Sequence, residues 1–215
     1  MIISPGRSYI FVHIPKTGGT SMALALEDRA HRDDILIGDT PKAQKRRGRV
    51  KKLRASGRLW KHSTLADIDG VLTPDEILQM TCFTLVRNPW DRMVSYYHWL
   101  QMQRFDHRAV TLAQTLSFAE FLSHDHTQSS LQAWPYARYM TDVTGREQAD
   151  FYLRLEHLDE DLAPLAARLG FDLEMPHANR SNRRDFRSYY SSDKVDLVAR
   201  ISAADIARFG YQFEP

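Results

Sequence analysis

Cysteine is nearly missing: the 215 residues contain one, Cys82. That excludes an intrachain disulfide and a cysteine-rich zinc site. Cys82 lies in the apolar run TCFTLV and reads as a buried, inert thiol. Long hydrophobic runs are missing too, since none approaches the roughly 20 residues a membrane helix needs. The N-terminal MIISPGRSYIFVHIP lacks a signal-peptide layout, because its apolar run is short, holds Pro5 and Gly6 and passes directly into a glycine loop. The expectation is a soluble, cytoplasmic chain. No fixed-period repeat and no coiled-coil heptads are present. Acid is missing from one stretch: residues 41–58, PKAQKRRGRVKKLRASGR, carry four Lys and five Arg with no Asp or Glu. The whole chain sums to only +2, so a basic segment of +9 is attached to a body of −7.

What is present reads as one globular domain spanning residues 1–215, with a basic loop insertion at about 41–58. Hydrophobic residues at 43% supply one sizeable core. TCFTLVR (81–87) is a continuous apolar run of the kind parallel strands need when covered on both faces, YIFVHI (9–14) is a short β-rich apolar run ended by Pro15, and DFYLRLE (150–156) reads as a third strand. RLWKH (58–62) reads as a short strand. TSMALALEDRA (20–30) predicts a helix with Thr20 or Ser21 as N-cap. TPDEILQM begins a helix with Thr73 as cap and Pro74 in the first turn; NPWDRMVSYYHWLQM does so with Asn88 and Pro89. SFAEFLSH shows a capping box, Ser117 with Glu120. LDEDLAPLAARLG is a helix stopped by Gly170, and SSDKVDLVARIS and AADIARFG are helical pieces. Asp33–Arg58 reads as a polar loop with little fixed structure. Strands alternating with helices imply an α/β fold: a P-loop-like, three-layer domain with a central, mainly parallel sheet flanked by helices.

Ligands in open α/β sheets bind at the carboxyl ends of strands. Two strand-to-helix junctions carry fitting chemistry. In HIPKTGGTS (13–21), Gly18 and Gly19 permit positive φ and close approach of a ligand. The amides of residues 17–21 would line a helix N-terminus that favours an anion. Lys16 adds charge, and Thr17, Thr20 and Ser21 add donors. The order differs from G-x-x-x-x-G-K-[ST], because Lys16 precedes the glycines. The plainer reading is a glycine turn feeding a helix. In VRNPWDRMVSYYHW, Arg87 ends a buried strand and Ser95 lies just over one turn into the next helix, a pair suited to a second phosphate. The plainer reading pairs Arg87 with Asp91.

Taken together, the two junctions resemble a known family. HIPKTGGTS looks like the 5′-phosphosulfate loop of sulfotransferases that use 3′-phosphoadenosine-5′-phosphosulfate (PAPS), and VRNPWDRMVSYYHW looks like their 3′-phosphate motif. The nearest resemblance is to carbohydrate sulfotransferases of the heparan sulfate 2-O-sulfotransferase type, in their short bacterial form. It continues through KHSTLADI (61–68), DFYLRLEHLDEDLAPLAARLGF (150–171), PHANRS (176–181) and FGYQF (209–213), but does not cover 41–58 or 105–130. It implies PAPS as co-substrate, no metal, and a hydroxyl acceptor. It also implies a catalytic His in the region of His62, and a loop holding Arg180 and Ser181 over the cofactor.

Sulfuryl transfer needs a base for the acceptor hydroxyl and a cation for the departing phosphate oxygen. His62, closing RLWKH, is the candidate base, and Lys16 the candidate cation; the plainer role for His62 is to cap the helix STLADI. An ordinary His titrates near pH ~6.5. His13 reads as structural, HDH (124–126) as solvated loop, and Glu156 as a buried ion-pair partner of Arg154. Trp90, Tyr96, Tyr97 and Trp99 read as packing. The basic segment reads either as a solvated loop or as a surface that recruits an anionic glycan acceptor. The rival classes are a phosphoryl-transfer P-loop enzyme with an aberrant loop and a non-catalytic polyanion binder. No specific nucleic-acid motif is present.

Overall fold

The structure is a computed structural model that describes residues 1–176 and 184–214. The chain forms two compact units: Met1–Val86 with Tyr136–Asn179, and Arg87–Pro135 with Arg180–Pro215.

The first unit is built on a five-stranded sheet ordered β3-β1-β2-β4-β5. The strands are β1 (Ile2–Ser4), β2 (Tyr9–Val12), β3 (Ile35–Leu36), β4 (Thr81–Val86) and β5 (Phe151–Arg154). β2, β4 and β5 are parallel, whereas β1 is antiparallel to both β2 and β3. The α/β class therefore stands, with a mixed sheet. The two added strands are very short, which is why no apolar run announced them. Every residue of β2 and β4 is buried, so both sheet faces are covered. On one face Phe11 and Phe83 are register partners with ring centroids 5.5 Å apart. Leu85, Leu153 and Ile2 share that cluster with Met22 and Leu26 of α1 (Gly19–Asp28) and Leu165 of α9 (Leu158–Leu169). Each such side chain contributes about 1.5–3 kcal/mol on burial. Pro164 is accommodated inside α9, and Gly170 ends it at φ 76.

Three local expectations change in this unit. α1 is capped by neither Thr20 nor Ser21; Gly18, at φ 87, is its N-cap. RLWKH is a turn rather than a strand: the Ser63 hydroxyl donates to the Arg58 carbonyl at 2.9 Å and accepts from the Trp60 amide at 2.9 Å. The basic stretch is folded, not loose. Thr40 caps α2 (Pro41–Val50), its hydroxyl accepting from the Ala43 amide at 3.2 Å and donating to Glu27 Oε1 at 2.6 Å. Lys42 donates to the Glu27 carbonyl, Arg46 to those of His31 (2.7 Å) and Asp34 (3.3 Å), and Arg49 to that of Arg32. A segment without an apolar stripe is thus fastened by cations that cap carbonyls at and beyond the end of α1. α3 (Pro74–Leu78) has its Thr73/Glu76 capping box, and α8 (Tyr136–Tyr139) closes the unit's helices before β5 and α9. Arg154 binds Asp161 at 2.8 and 3.0 Å, and Glu156 is exposed rather than buried.

The second unit is helical. α4 (Pro89–Gln101) packs against α5 (Arg108–Thr115), α6 (Phe118–Ser123) and α10 (Ser192–Ile201), while α7 (Asp125–Gln132) lies on α6 and α10, and α11 (Ala203–Phe209) on α10. Trp90 and Tyr97 are buried in the packing of α4, their polar tips donating to the Val195 carbonyl (3.0 Å) and the Leu116 carbonyl (2.7 Å). The half-buried rings of Tyr96 and Trp99 stack at 6.2 Å. Ser117 and Glu120 form the expected box on α6, and His124 of HDH is the N-cap of α7.

Candidate functional site

The buried β2 strand continues as His13 and Ile14 before Pro15 ends it. Two left-handed residues then turn the chain: Lys16 at φ 67 and Gly18 at φ 87. A lysine in that region is uncommon and marks a backbone fixed by its surroundings. Between them Thr17 is fully buried, its hydroxyl donating to the Ile14 carbonyl at 2.9 Å. The Thr17 hydroxyl hydrogen is therefore already used inside the protein. Helix α1 starts at Gly19, and Gly18 supplies no side-chain cap. The first N–H groups of a helix have no intrahelical acceptor and carry the positive end of its dipole. With the Lys16 ammonium and the half-buried Thr20, this donor set fits a phosphate-type anion.

The glycines also make room for protein. A Cβ on Gly19 would lie 2.1 Å from His13 Cδ2, and one on Gly18 would lie 2.9 Å from Leu155 Cδ1. Gly19 thus lets the His13 ring lie against the start of α1. That ring is buried, and burial together with the nearby His62, Lys61 and Lys16 holds it neutral, well below the ordinary histidine value.

His62 meets the loop from the side. Its Nδ1 lies 2.7 Å from the His13 carbonyl oxygen. A carbonyl only accepts, so Nδ1 carries the proton and Nε2 holds the lone pair. Burial pushes the His62 pKa down to about 3, against the small upward pull of that hydrogen bond. The ring is wedged edge-on between His13 (4.7 Å) and Trp60 (5.0 Å). The turn below it is pinned to the sheet: the Met1 amine donates to the carbonyls of Ile37 (3.0 Å) and Lys61 (2.9 Å). Lys61 pairs with Asp39 at 2.6 Å. A neutral imidazole with one nitrogen fixed as donor leaves the other free to accept a proton, and the burial that keeps it neutral also makes it a weaker base than a histidine titrating near neutral pH. Sequence reasoning named His62 but missed its orientation, and it did not single out Trp60. The aromatic–Lys–His order of WKH was the available signal.

The second junction belongs to the other unit. Arg87 follows β4, and its Nε and Nη2 donate to Asp91 Oδ2 at 2.8 and 2.6 Å, with 14% and 19% of the two side chains exposed. The plainer pairing is therefore formed. Asn88 caps α4, its side chain accepting from the amides of Trp90 (3.1 Å) and Asp91 (3.4 Å). Ser95 is half-buried on α4. Arg180 and Ser181 lie outside the described residues. Among the described residues no group of three or more His, Cys, Asp or Glu side chains converges as a metal site. No helix among them is long and apolar enough to cross a membrane.

Comparison with curated proteins gives no significant match. Among solved structures, mouse sulfotransferase SULT7A1, crystallised in complex with PAP, is similar at TM-score 0.55 and 16% identity, over 96% of this chain and 88% of that one. The two share a fold. A sulfotransferase from Alicyclobacillus acidocaldarius is 17% identical at TM-score 0.42, over 94% of this chain and 96% of its own. The model of the sulfotransferase family matches residues 1–212, nearly the whole length, and the chain belongs to that family.

Proposed function

We propose that this sulfotransferase takes its sulfuryl group from PAPS and delivers it to a carbohydrate hydroxyl, in the manner of the heparan sulfate 2-O-sulfotransferase type. The observation that carries the reading is the fixed tautomer of His62, whose Nδ1–H is held by the carbonyl of the residue that opens the anion loop. In this mechanism Nε2 takes the proton of the attacking hydroxyl. The acceptor oxygen bonds to sulfur as the bond from sulfur to the phosphate oxygen breaks. The Lys16 ammonium meets the charge that develops on that departing oxygen. The amides of residues 17–21 hold the phosphosulfate end. Arg87 and Ser95 take the 3′-phosphate, with Arg180 and Ser181 assigned to the same nucleotide by resemblance alone. For Arg87 to act so, its guanidinium must reach a phosphate while bound to Asp91, or exchange one for the other.

The test combines binding with turnover. Calorimetry should show PAP bound much more tightly than AMP or ATP. His62→Ala should keep that affinity and lose on the order of 10²–10⁴ in rate, as removal of a general base does. Lys16→Ala should lose both. The pH profile adds a signature. Because His62 is held down to about 3, its neutral form persists below the ordinary value, so the acid limb of kcat/KM should fall well under pH ~6.5. The sign for stability is the same. The unfolded chain takes up this proton near pH ~6.5 while the folded chain refuses it, so stability is full above that pH and falls as pH drops toward 3. A His62→Ala enzyme at the wild-type rate, or equal affinity for ATP and PAP, overturns the assignment.

A further inference from the structure

Beside the candidate base the first unit holds a groove of about 550 Å³, inside the size range of small-ligand sites. One wall is α2 and another is the Leu59–Lys61 turn. α2 carries its cations in two stripes. Lys42, Arg46 and Arg49 recur at helical spacing and are consumed by backbone carbonyls. Arg47 and Lys51, one turn apart, line the groove with Gln44, and among the described residues neither cation meets an ion-pair or hydrogen-bond partner. The one carboxylate in the groove wall, Asp39, is already held by Lys61 at 2.6 Å. The groove is therefore net cationic, with two unspent charges. It also contains Trp60, an aromatic residue left 42% exposed. The Trp60 ring stands edge-on to His62 at 5.0 Å, and the Arg58 guanidinium lies 5.2 Å from its centre. Trp60 thus both lines the groove and touches the His62 ring.

We propose that this groove is the acceptor subsite and that it takes an anionic saccharide. Trp60 supplies a platform for the apolar face of a sugar ring. Arg47 and Lys51 bind carboxylate or sulfate groups on the same or the adjoining sugar, about 6 Å being the separation of side chains one helical turn apart. The hydroxyl to be sulfated then reaches Nε2 of His62. The proposal rests on His62 as the base, and it assigns acceptor choice to a segment that lies outside the family resemblance.

The probes are a uronate-containing, sulfated tetrasaccharide, its neutral carboxyl-reduced and desulfated counterpart, and a DNA duplex of matched charge. The wild-type protein should bind the anionic tetrasaccharide with an affinity that weakens as salt rises. Arg47→Gln with Lys51→Gln should cost about tenfold in Kd, the equivalent of roughly 1.4 kcal/mol, and flatten that salt dependence. The melting temperature and PAP affinity should not change, since neither side chain holds the fold. Trp60→Phe should keep most of the affinity and Trp60→Ala should lose it. The proposal fails if the double variant binds like wild type, if the neutral tetrasaccharide binds equally well, if DNA binds as tightly, or if wild type shows no binding at millimolar probe. Failure of the His62 reading is separable. In that case His62→Ala keeps its rate while the groove variants still lose saccharide affinity.

Discussion

The two strand-to-helix junctions solve the same problem in opposite ways. Both end a buried parallel strand and open a helix. At Asn88 the start of α4 is closed by its own chain. A side chain accepts from two first-turn amides, Pro89 removes another donor, and Asp91 both complements the helix dipole and holds Arg87. At Gly18 the start of α1 has no side-chain cap from its N-cap residue and no acidic residue in the first turn, and the Ser21 amide turns back to the Gly18 carbonyl at 3.0 Å. An uncapped helix start costs stability unless something else supplies the acceptor. The anion proposed for the first junction would supply that acceptor, while the second meets its needs within its own chain. The difference ranks the two as ligand sites in a way that their similar residue types do not.

The comparison can be broken most forcefully at Gly19. Gly19→Ala places a methyl 2.1 Å from His13 Cδ2, against a buried ring that also packs on His62, and should abolish PAP binding and lower the melting temperature by many degrees. Gly48→Ala is its control. Nothing lies within 4 Å of a Cβ there, and α2 should gain about 0.5–1 kcal/mol from the better helix former. Next in size is Arg87→Ala. If Arg87 serves the 3′-phosphate, PAP affinity should fall by about 1.5–3 kcal/mol while AMP affinity stays unchanged. A melting-temperature loss with equal effects on both nucleotides would leave Arg87 a purely internal partner of Asp91. The smallest effect belongs to Asn88→Ala. It removes the cap and the Nδ2 donation to the Gln212 carbonyl (2.8 Å), and should cost about 1–2 kcal/mol of stability in denaturant titration with nucleotide affinity intact.

What the sequence made legible was local. The strands β2 and β4 are apolar-rich runs and β5 is one ending in Arg154, and the caps at Thr73, Asn88 and Ser117 each depend on residues within one turn. α2 escaped notice because its support is distant: Thr40 reaches Glu27, and Arg46 reaches His31 and Asp34, across a loop that no periodicity records. RLWKH reads as a short strand, but the Ser63 hydroxyl folds it into a turn. The site divides the same way. The loop and His62 were readable as residue types in order. The tautomer of His62 was not, since it depends on a carbonyl 49 residues away. The order of the glycines suggested ligand contact, whereas their Cβ directions are filled by Leu155 and His13.

The lone thiol has a practical corollary. Cys82 is fully buried in β4, its Sγ 3.8 Å from the Ile77 carbonyl, and burial raises its pKa to about 12. At neutral pH almost none of it is thiolate, the form that attacks maleimides and disulfide reagents. The native chain is therefore chemically silent toward such reagents while folded. A single cysteine placed at an exposed position of α2 would be the only site labelled, so a fluorophore or spin probe can follow nucleotide and acceptor binding without first deleting the natural residue.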